Sequence, residues 1–251
     1  MNNSKSDLFN KIFNAFILIG MAVVTIIVTG IKLGAAESGH ALLIVEAVGS
    51  LCGVLANVLS ANGRLLTFLF GLIDVTIYGV MCLTGAKYGN AALHLLYFLP
   101  MQVVVVVQWK KRGAGDGHQV QARRLDGRKW MLYGTIFFVG LVVAYYVLCA
   151  LDKTKAAGVI RWVVLMDALS MMCNILGQYL LSTAYMEQWI FWIGVNIASV
   201  VMWALTLRQT PDSSYALIYV VKYSFYLLNS LNGLRIWLAL SRPDAPGTAQ
   251  E

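Results

Sequence analysis

Long apolar stretches alternate with short polar connections along the whole chain. Each stretch approaches or exceeds the roughly 20 residues that a helix needs to cross about 30 Å of hydrocarbon. Eight are evident, at residues 11–33, 41–60, 65–84, 91–109, 130–151, 162–181, 189–207 and 215–240. The pattern predicts an all-α membrane protein of about eight transmembrane helices. For the first stretch, a helix lying on the membrane surface is the alternative, whereas its length argues against a cleaved signal peptide.

Composition excludes a soluble globular protein. Of the 251 residues, 59% are hydrophobic and 12% are charged, which is too little polar surface to cover a core in water. Much of the net charge of +7 comes from one polar segment, residues 110–129. Because Lys and Arg accumulate in short cytoplasmic loops, this segment predicts an inner (plasma) membrane protein with both termini in the cytoplasm. We expect no nucleic-acid binding, since the segment lacks interleaved aromatic residues and a fold around it.

The two halves of the chain repeat each other. Three matches carry the repeat: residues 46–53 (EAVGSLCG) with 167–174 (DALSMMCN), residues 70–75 (FGLIDV) with 192–197 (WIGVNI), and Trp109 with Trp237. The repeat predicts two parallel triple-helix bundles joined by a linker helix (3+1+3), plus an N-terminal helix. The expected divisions are the N-terminal helix at 1–40, the first bundle at 41–110, the basic cytoplasmic loop and linker helix at 111–160, the second bundle at 161–242 and a disordered tail at 243–251.

An aromatic and amide face follows from spacing on the seventh helix. Trp189, Trp192 and Asn196 stand at i, i+3 and i+7, so they share one side of the helix. Asn196 lies about 10 Å below Trp189 at the helical rise, too deep to be solvated from the membrane surface. Such an amide needs a partner, which can be a helix, water or a ligand. The face is therefore a candidate binding site for a flat ligand.

A second polar stripe runs along the last helix. Lys222, Tyr226 and Asn229 stand at i, i+4 and i+7, and in the first bundle Gln102 lies near the middle of its span. We add these four residues to the candidate substrate-binding set. Lys222 can alternatively extend its amine towards the membrane surface.

Asp74 is an ionisable residue near the middle of its span. An intramembrane carboxyl is a functional candidate, here for gating or proton relay. The alternative is a hydrogen-bonded residue that packs helices together, and the sequence leaves both open.

Enzyme chemistry is not indicated. Residues 113–116 (GAGD) match the GxGD string of intramembrane aspartyl proteases, but Asp116 lies in the basic polar loop rather than in a helix. The three histidines are isolated, and the four cysteines form no CxxC pair. We expect neither catalytic residues, nor a metal, nor another cofactor.

The chain resembles the PnuC transporters of nicotinamide riboside, bacterial relatives of the SWEET fold. The motifs that carry the resemblance are WxxWxxxN at 189–196, EAVG at 46–49, FGLIDVT at 70–76 and LNGLRIW at 231–237. It covers about residues 45–109 and 167–242. The resemblance implies that Trp192 and Trp189 stack on the cationic pyridinium ring and that Asn196 hydrogen-bonds the ligand.

The same resemblance implies facilitated diffusion by alternating access in the bacterial inner membrane. A cytoplasmic riboside kinase would trap the imported substrate, and the protein would form a homotrimer in the lipid bilayer. A proton-coupled carrier, or a vitamin or sugar carrier of different specificity on the same fold, is the alternative, since sugar sites also stack on tryptophan and hydrogen-bond asparagine.

Overall fold

Eight helices make up the described part of the chain, and no strand occurs there. The structure, a computed structural model, describes residues 3–36, 39–84, 91–151, 161–209 and 214–242. The helices are α1 (Asn3–Ala35), α2 (His40–Ala61), α3 (Thr67–Thr84), α4 (Leu93–Lys111), α5 (Gly127–Leu151), α6 (Trp162–Ser182), α7 (Gln188–Gln209) and α8 (Ser214–Leu240). The predicted tail at 243–251 lies outside the described residues.

Each predicted apolar stretch coincides with one helix, so the all-α membrane fold is confirmed. By length and composition, six helices among the described residues can cross a membrane, namely α1, α2, α4, α5, α6 and α7. Helix α3 is apolar but shorter, and α8 carries Lys222, Arg235 and several amide side chains. Of the two remaining helices, α8 is therefore the one that carries the predicted polar stripe.

Helices α2, α3, α4, α6, α7 and α8 form a closed ring. Each packs on the next in that order, and α8 packs back on α2. Helix α1 lies outside the ring against α2 and α8, while α5 packs on α6. The buried Ile17 and Met21 of α1 contact Val54 and Val58 of α2, so α1 is a packed helix rather than one resting on the membrane surface.

Four consecutive backbone N–H groups close one end of this ring. Residues 120–123, here called the strap, lie across two helix ends and two turns at that side. The N–H of Val120 donates to Gly63 O (3.0 Å), that of Gln121 to Arg112 O (2.9 Å), that of Ala122 to Leu240 O (3.2 Å) and that of Arg123 to Ala184 O (2.7 Å). Two of the strap's own residues, Val120 and Ala122, are buried. The strap therefore ties together the α2–α3 turn, the end of α4, the end of α8 and the α6–α7 turn.

The two turns under the strap have the same conformation. Gly63 has φ 62°, and Ala184, 121 positions later, has φ 58°. In each turn the following residue donates its N–H to a helix carbonyl, Arg64 to Leu59 O (3.0 Å) and Tyr185 to Leu180 O (2.8 Å). The left-handed conformation suits glycine, and Ala184 shows that a side chain is tolerated there.

The paired tryptophans of the repeat also make matching contacts. Trp109 Nε1 donates to Leu181 O at 2.8 Å, and Trp237 Nε1 donates to Ser60 O at 3.0 Å. Both side chains are fully buried, and their ring centroids lie 5.3 Å apart. Helix α4 thus anchors to α6, and α8 anchors to α2.

Helix α4 begins with a π-helical turn. Residues Leu93–Phe98 form it, and regular α-helix continues from Leu99. Pro100 explains the change, because proline has no N–H to donate and its ring excludes the usual i−4 carbonyl. The turn places His94 against Tyr78 of α3, with ring centroids 4.5 Å apart.

Candidate ligand-binding site

Trp189 is buried at the strap end of α7. Its ring lies against Gly233 of α8, where a Cβ would come within 2.6 Å of Trp189 Cη2. The ring centroid is 6.2 Å from that of Trp237. The glycine lets α7 and α8 approach closely. Trp189 therefore forms part of a buried aromatic cluster, although its Nε1 has no hydrogen-bond partner in the structure.

Trp192 contacts a different neighbour. It is half-buried and lies on Gly177 of α6, where a Cβ would be 3.2 Å from Trp192 Cε2. Glycine at this position leaves the α6 backbone open to the flat indole. Of the two tryptophans, Trp192 has the more accessible ring, which is what stacking on a ligand requires.

A buried polar layer joins α2, α7 and α8 deeper in the ring. It consists of the buried Asn196, Asn229 and Ser230, together with the backbone carbonyl of Asn57, a residue that is itself exposed. Asn196 Nδ2 donates to Ser230 Oγ at 2.9 Å, and Asn229 Nδ2 donates to Asn57 O at 3.2 Å. The Oδ1 atom of Asn229 is buried without a hydrogen-bond partner. A buried acceptor of this kind costs free energy unless water or a ligand satisfies it.

Asp74 lies against the same part of α2. A Cβ at Gly53 would come within 2.7 Å of the Asp74 carboxyl group, so the carboxyl rests on the α2 backbone. Gly53 O also accepts a hydrogen bond from Asn57 Nδ2 at 3.2 Å. Asp74 and the Asn57 side chain thus both contact Gly53 of α2, while the role of Asp74 in gating or packing stays a prediction.

Lys222 and Tyr226 continue the stripe on α8 away from the strap. The Lys222 ammonium lies 5.8 Å from the Tyr226 ring centroid and 5.9 Å from that of Tyr219. Both distances are within the range of a cation–π contact. In the structure the amine therefore lies beside two aromatic rings and does not extend towards the membrane surface.

Gln102 lies in the other half of the ring. Its amide oxygen would be 3.3 Å from a Cβ at Gly71, which places Gln102 between α4 and α3. The structure thus joins Asn196 to α8 and Asn229 to α2, whereas Gln102 lies between α4 and α3. Its participation in one shared site stays a prediction.

Several contributors were not found by sequence reasoning. Ser230 and the backbone carbonyl of Asn57 complete the polar layer, and glycines 53, 177 and 233 admit the larger side chains. A glycine facing an aromatic residue across two helices has no signal in a single sequence, because local patterns do not show which faces of two helices meet. Within the described residues, no group of three or more His, Cys, Asp and Glu side chains could hold a metal ion.

Comparison with known proteins gives consistent matches. The sequence profile of a family described as nicotinamide mononucleotide transporters matches residues 43–239. The nicotinamide riboside transporter PnuC of Neisseria mucosa is 30% identical over 197 residues, covering 77% of this chain and 71% of that protein. PnuC of Escherichia coli is 25% identical over 235 residues, or 86% and 93% of the two chains.

A solved structure has a similar fold. The crystal structure of the vitamin B3 transporter PnuC superimposes with a TM-score of 0.65 at 26% sequence identity. The match covers 93% of this chain and 92% of that one. The similarity therefore extends over nearly the whole chain.

Proposed function

We propose, from the premise that this chain belongs to the PnuC family of membrane transporters, that it carries nicotinamide riboside across the membrane by facilitated diffusion. The observation that carries the proposal is the buried polar layer, which lies next to the half-exposed ring of Trp192. A nucleoside with a flat cationic base needs this combination of an aromatic face and amide groups.

The chemistry of the layer suits the substrate. An indole face attracts a pyridinium cation by roughly 0.5–2 kcal/mol, depending on desolvation. An asparagine amide offers one acceptor and two donor hydrogens, which complement a carboxamide. We assign these roles to Trp192 and Asn196, and we assign the unpartnered Asn229 Oδ1 to a ribose hydroxyl. Trp189 closes the strap end of the site.

The family description names the mononucleotide, but we favour the riboside as the substrate of this chain. The two molecules differ by a phosphate group, and a buried phosphate needs cationic partners. The polar layer consists of amides and one hydroxyl and has no cation. The nearby Lys222 already interacts with the carboxyl group of Asp74. A phosphorylated product would bind poorly here, which supports trapping of the imported substrate by a cytoplasmic kinase.

The construction of the ring supports the proposal of alternating access. Helices α2, α3 and α4 form one half and α6, α7 and α8 the other, with the α4–α6 contact repeated as α8–α2. Matching tryptophan hydrogen bonds and the strap join the halves at one end. We propose that this end is the cytoplasmic gate, that rocking of the halves opens it, and that the structure represents a state closed there.

The orientation, location and assembly are proposals as well. Arg64, Lys110, Arg112 and Arg123 lie on the strap side, which supports a cytoplasmic position for that end and for both termini. We place the protein in the bacterial inner membrane. A homotrimer remains our expectation for the assembly.

The proposal is tested by isothermal titration of the detergent-purified protein with nicotinamide riboside, its mononucleotide and thiamine. Saturable binding of the riboside alone is expected. If thiamine or the mononucleotide binds instead, the assignment of the transporter fold still holds, but the assignment of the riboside as substrate is wrong.

Uptake into proteoliposomes tests the mechanism separately. Facilitated diffusion predicts uptake that a protonophore does not change and that the isosteric Asp74→Asn variant retains. Loss of uptake under either condition would favour the proton-coupled carrier, and competition by hexoses would favour a sugar carrier.

A further inference from the structure

A cavity of about 460 Å³ opens on the strap side of the ring, outside the polar layer. It lies between the start of α3, the end of α4 and the loop that precedes the strap. Arg64, Lys110 and His118 line one part of it, and Leu66, Phe68 and Leu69 line another. Its volume falls within the range of small-molecule sites. The cavity thus has a basic part and an apolar part.

The basic part has spare hydrogen-bond donors. Arg64 Nη1 donates to Gly117 O, which holds the guanidinium in place, while its other N–H groups have no assigned partner. Lys110 is exposed at the end of α4. One carboxylate, Asp116, also lines the cavity, so the two cations exceed the acids by one formal charge. That balance matches a phosphodiester, which carries one negative charge.

The apolar part faces the hydrocarbon side. Leu66 is 53% exposed and Leu69 is 54% exposed at the start of α3. In a membrane protein such leucines contact acyl chains. A ligand that fills both parts therefore needs an anionic headgroup joined to a hydrocarbon tail.

The second half of the ring provides an internal comparison. At the turn equivalent to Arg64 stands Tyr185, which is buried under the guanidinium of Arg123 at 4.5 Å from its ring centroid. Nearby Glu187 is buried and accepts a hydrogen bond from the N–H of Leu125 at 3.0 Å. Protein atoms thus cover this position, whereas the first half keeps an open basic cavity.

From these contacts we infer that the cavity is a binding site for the headgroup of an anionic phospholipid in the membrane leaflet on the strap side. Basic pockets between transmembrane helices recognise such headgroups. The inference does not depend on the transported substrate, since the cavity is separate from the polar layer.

Two adjacent lysines make a matched test. Lys110 lines the cavity and Lys111 does not, although both are exposed at the end of α4. Binding of dioleoyl phosphatidylglycerol and dioleoyl phosphatidylcholine to the full-length protein is measured by native mass spectrometry. We expect the wild type to prefer phosphatidylglycerol, Lys110→Ala to lose about fivefold in affinity for it, and Lys111→Ala to match the wild type.

Three results would overturn the inference. Equal binding of the two lipids would remove the headgroup site. An equal loss in Lys110→Ala and Lys111→Ala would indicate general attraction of charge. If millimolar inorganic phosphate stabilises the protein against heat as much as phosphatidylglycerol does, the ligand is a free anion and not a lipid.

Discussion

Trp189 and Trp192 stand three residues apart on α7 but have different surroundings. Trp189 is enclosed by Gly233 and Trp237, whereas Trp192 lies on Gly177 and keeps part of its ring accessible. We therefore propose the ligand-stacking role for Trp192 first and a packing role for Trp189. The WxxW motif combines the two because α7 contacts α8 on one side and α6 on the other.

Replacing Trp192 by alanine is expected to weaken binding of nicotinamide riboside. Loss of the indole face removes roughly 0.5–2 kcal/mol of cation–π attraction, which is about a 2- to 30-fold increase in Kd. Isothermal titration measures the change. Trp162→Ala is the matched control, because Trp162 is 58% exposed at the start of α6. Tight binding in Trp192→Ala would contradict the assignment.

Variants of the hydrogen-bonded pair Asn196 and Ser230 can distinguish a structural role of Asn196 from a role in ligand recognition. If Asn196 reads the ligand, Asn196→Ala should reduce affinity by at least about tenfold, since it removes the recognising amide. Ser230→Ala removes only the helix-to-helix bond and should change affinity by less than about threefold. Titration of both variants, with folding checked by size-exclusion chromatography, decides between them. Equal losses would mean that the pair is only structural.

At the scale of helices, glycine determines how closely α7 and α8 approach. Gly233 admits the ring of Trp189, Gly177 admits Trp192, and Gly53 admits Asp74. In each case a small residue on one helix faces a large one on its neighbour, which is typical of packing between membrane helices. Lys32 of α1 also forms an ion pair with Glu46 of α2 at 2.6 Å, which fixes α1 at the end away from the strap.

Gly233→Ala is expected to lower thermal stability. The new Cβ would lie 2.6 Å from Trp189 Cη2, and such overpacking costs about 1–3 kcal/mol, more than the gain of up to about 1 kcal/mol in helix propensity. Gly134→Ala on α5 is the control, because a Cβ there meets nothing within 4 Å. Heating of the detergent-purified variants should lower the midpoint for Gly233→Ala and leave it equal or higher for Gly134→Ala. The opposite order would contradict the packing account.

At the scale of the whole molecule, the strap contacts both halves of the ring at once. Its four N–H groups reach carbonyls in the α2–α3 turn, α4, α8 and the α6–α7 turn. Opening this end requires some of these bonds to break, and each is replaced by water when the end is hydrated. The net cost per bond is then only about 0.5–1.5 kcal/mol, which is compatible with a gate that opens and closes.

A disulfide between the strap side and the first half should stop transport. A Cβ at Gly63 would lie 3.6 Å from the Cβ of Gln119, within the usual range for a disulfide. Ala184 at φ 58° indicates that residue 63 can carry a side chain. The oxidised Gly63→Cys, Gln119→Cys protein should lose riboside uptake into proteoliposomes and recover it on reduction. Each single variant is a control, and undiminished uptake by the oxidised protein would show that the strap stays on the first half during transport, so that any opening breaks its bonds to Leu240 and Ala184 instead.

The sequence by itself determined the number, position and type of the helices, because a span needs a continuous apolar run that is visible locally. It also predicted the repeat, and the matching bonds of Trp109 and Trp237 agree with that pairing. On α7 it found Trp192 and Asn196, since helical spacing places them on one side.

Only the tertiary structure decided what those side chains contact. The hydrogen bond of Asn229 to Asn57 and the packing of Trp189 on Gly233 depend on which helices are neighbours in the ring. The strap was described from sequence only as part of a basic loop, because its four bonds are made by backbone atoms that every residue possesses. The local pattern of apolar and polar residues shows whether a segment lies in lipid or in water. Closing the ring depends instead on contacts between α2 and α8, whose residues are more than 100 positions apart.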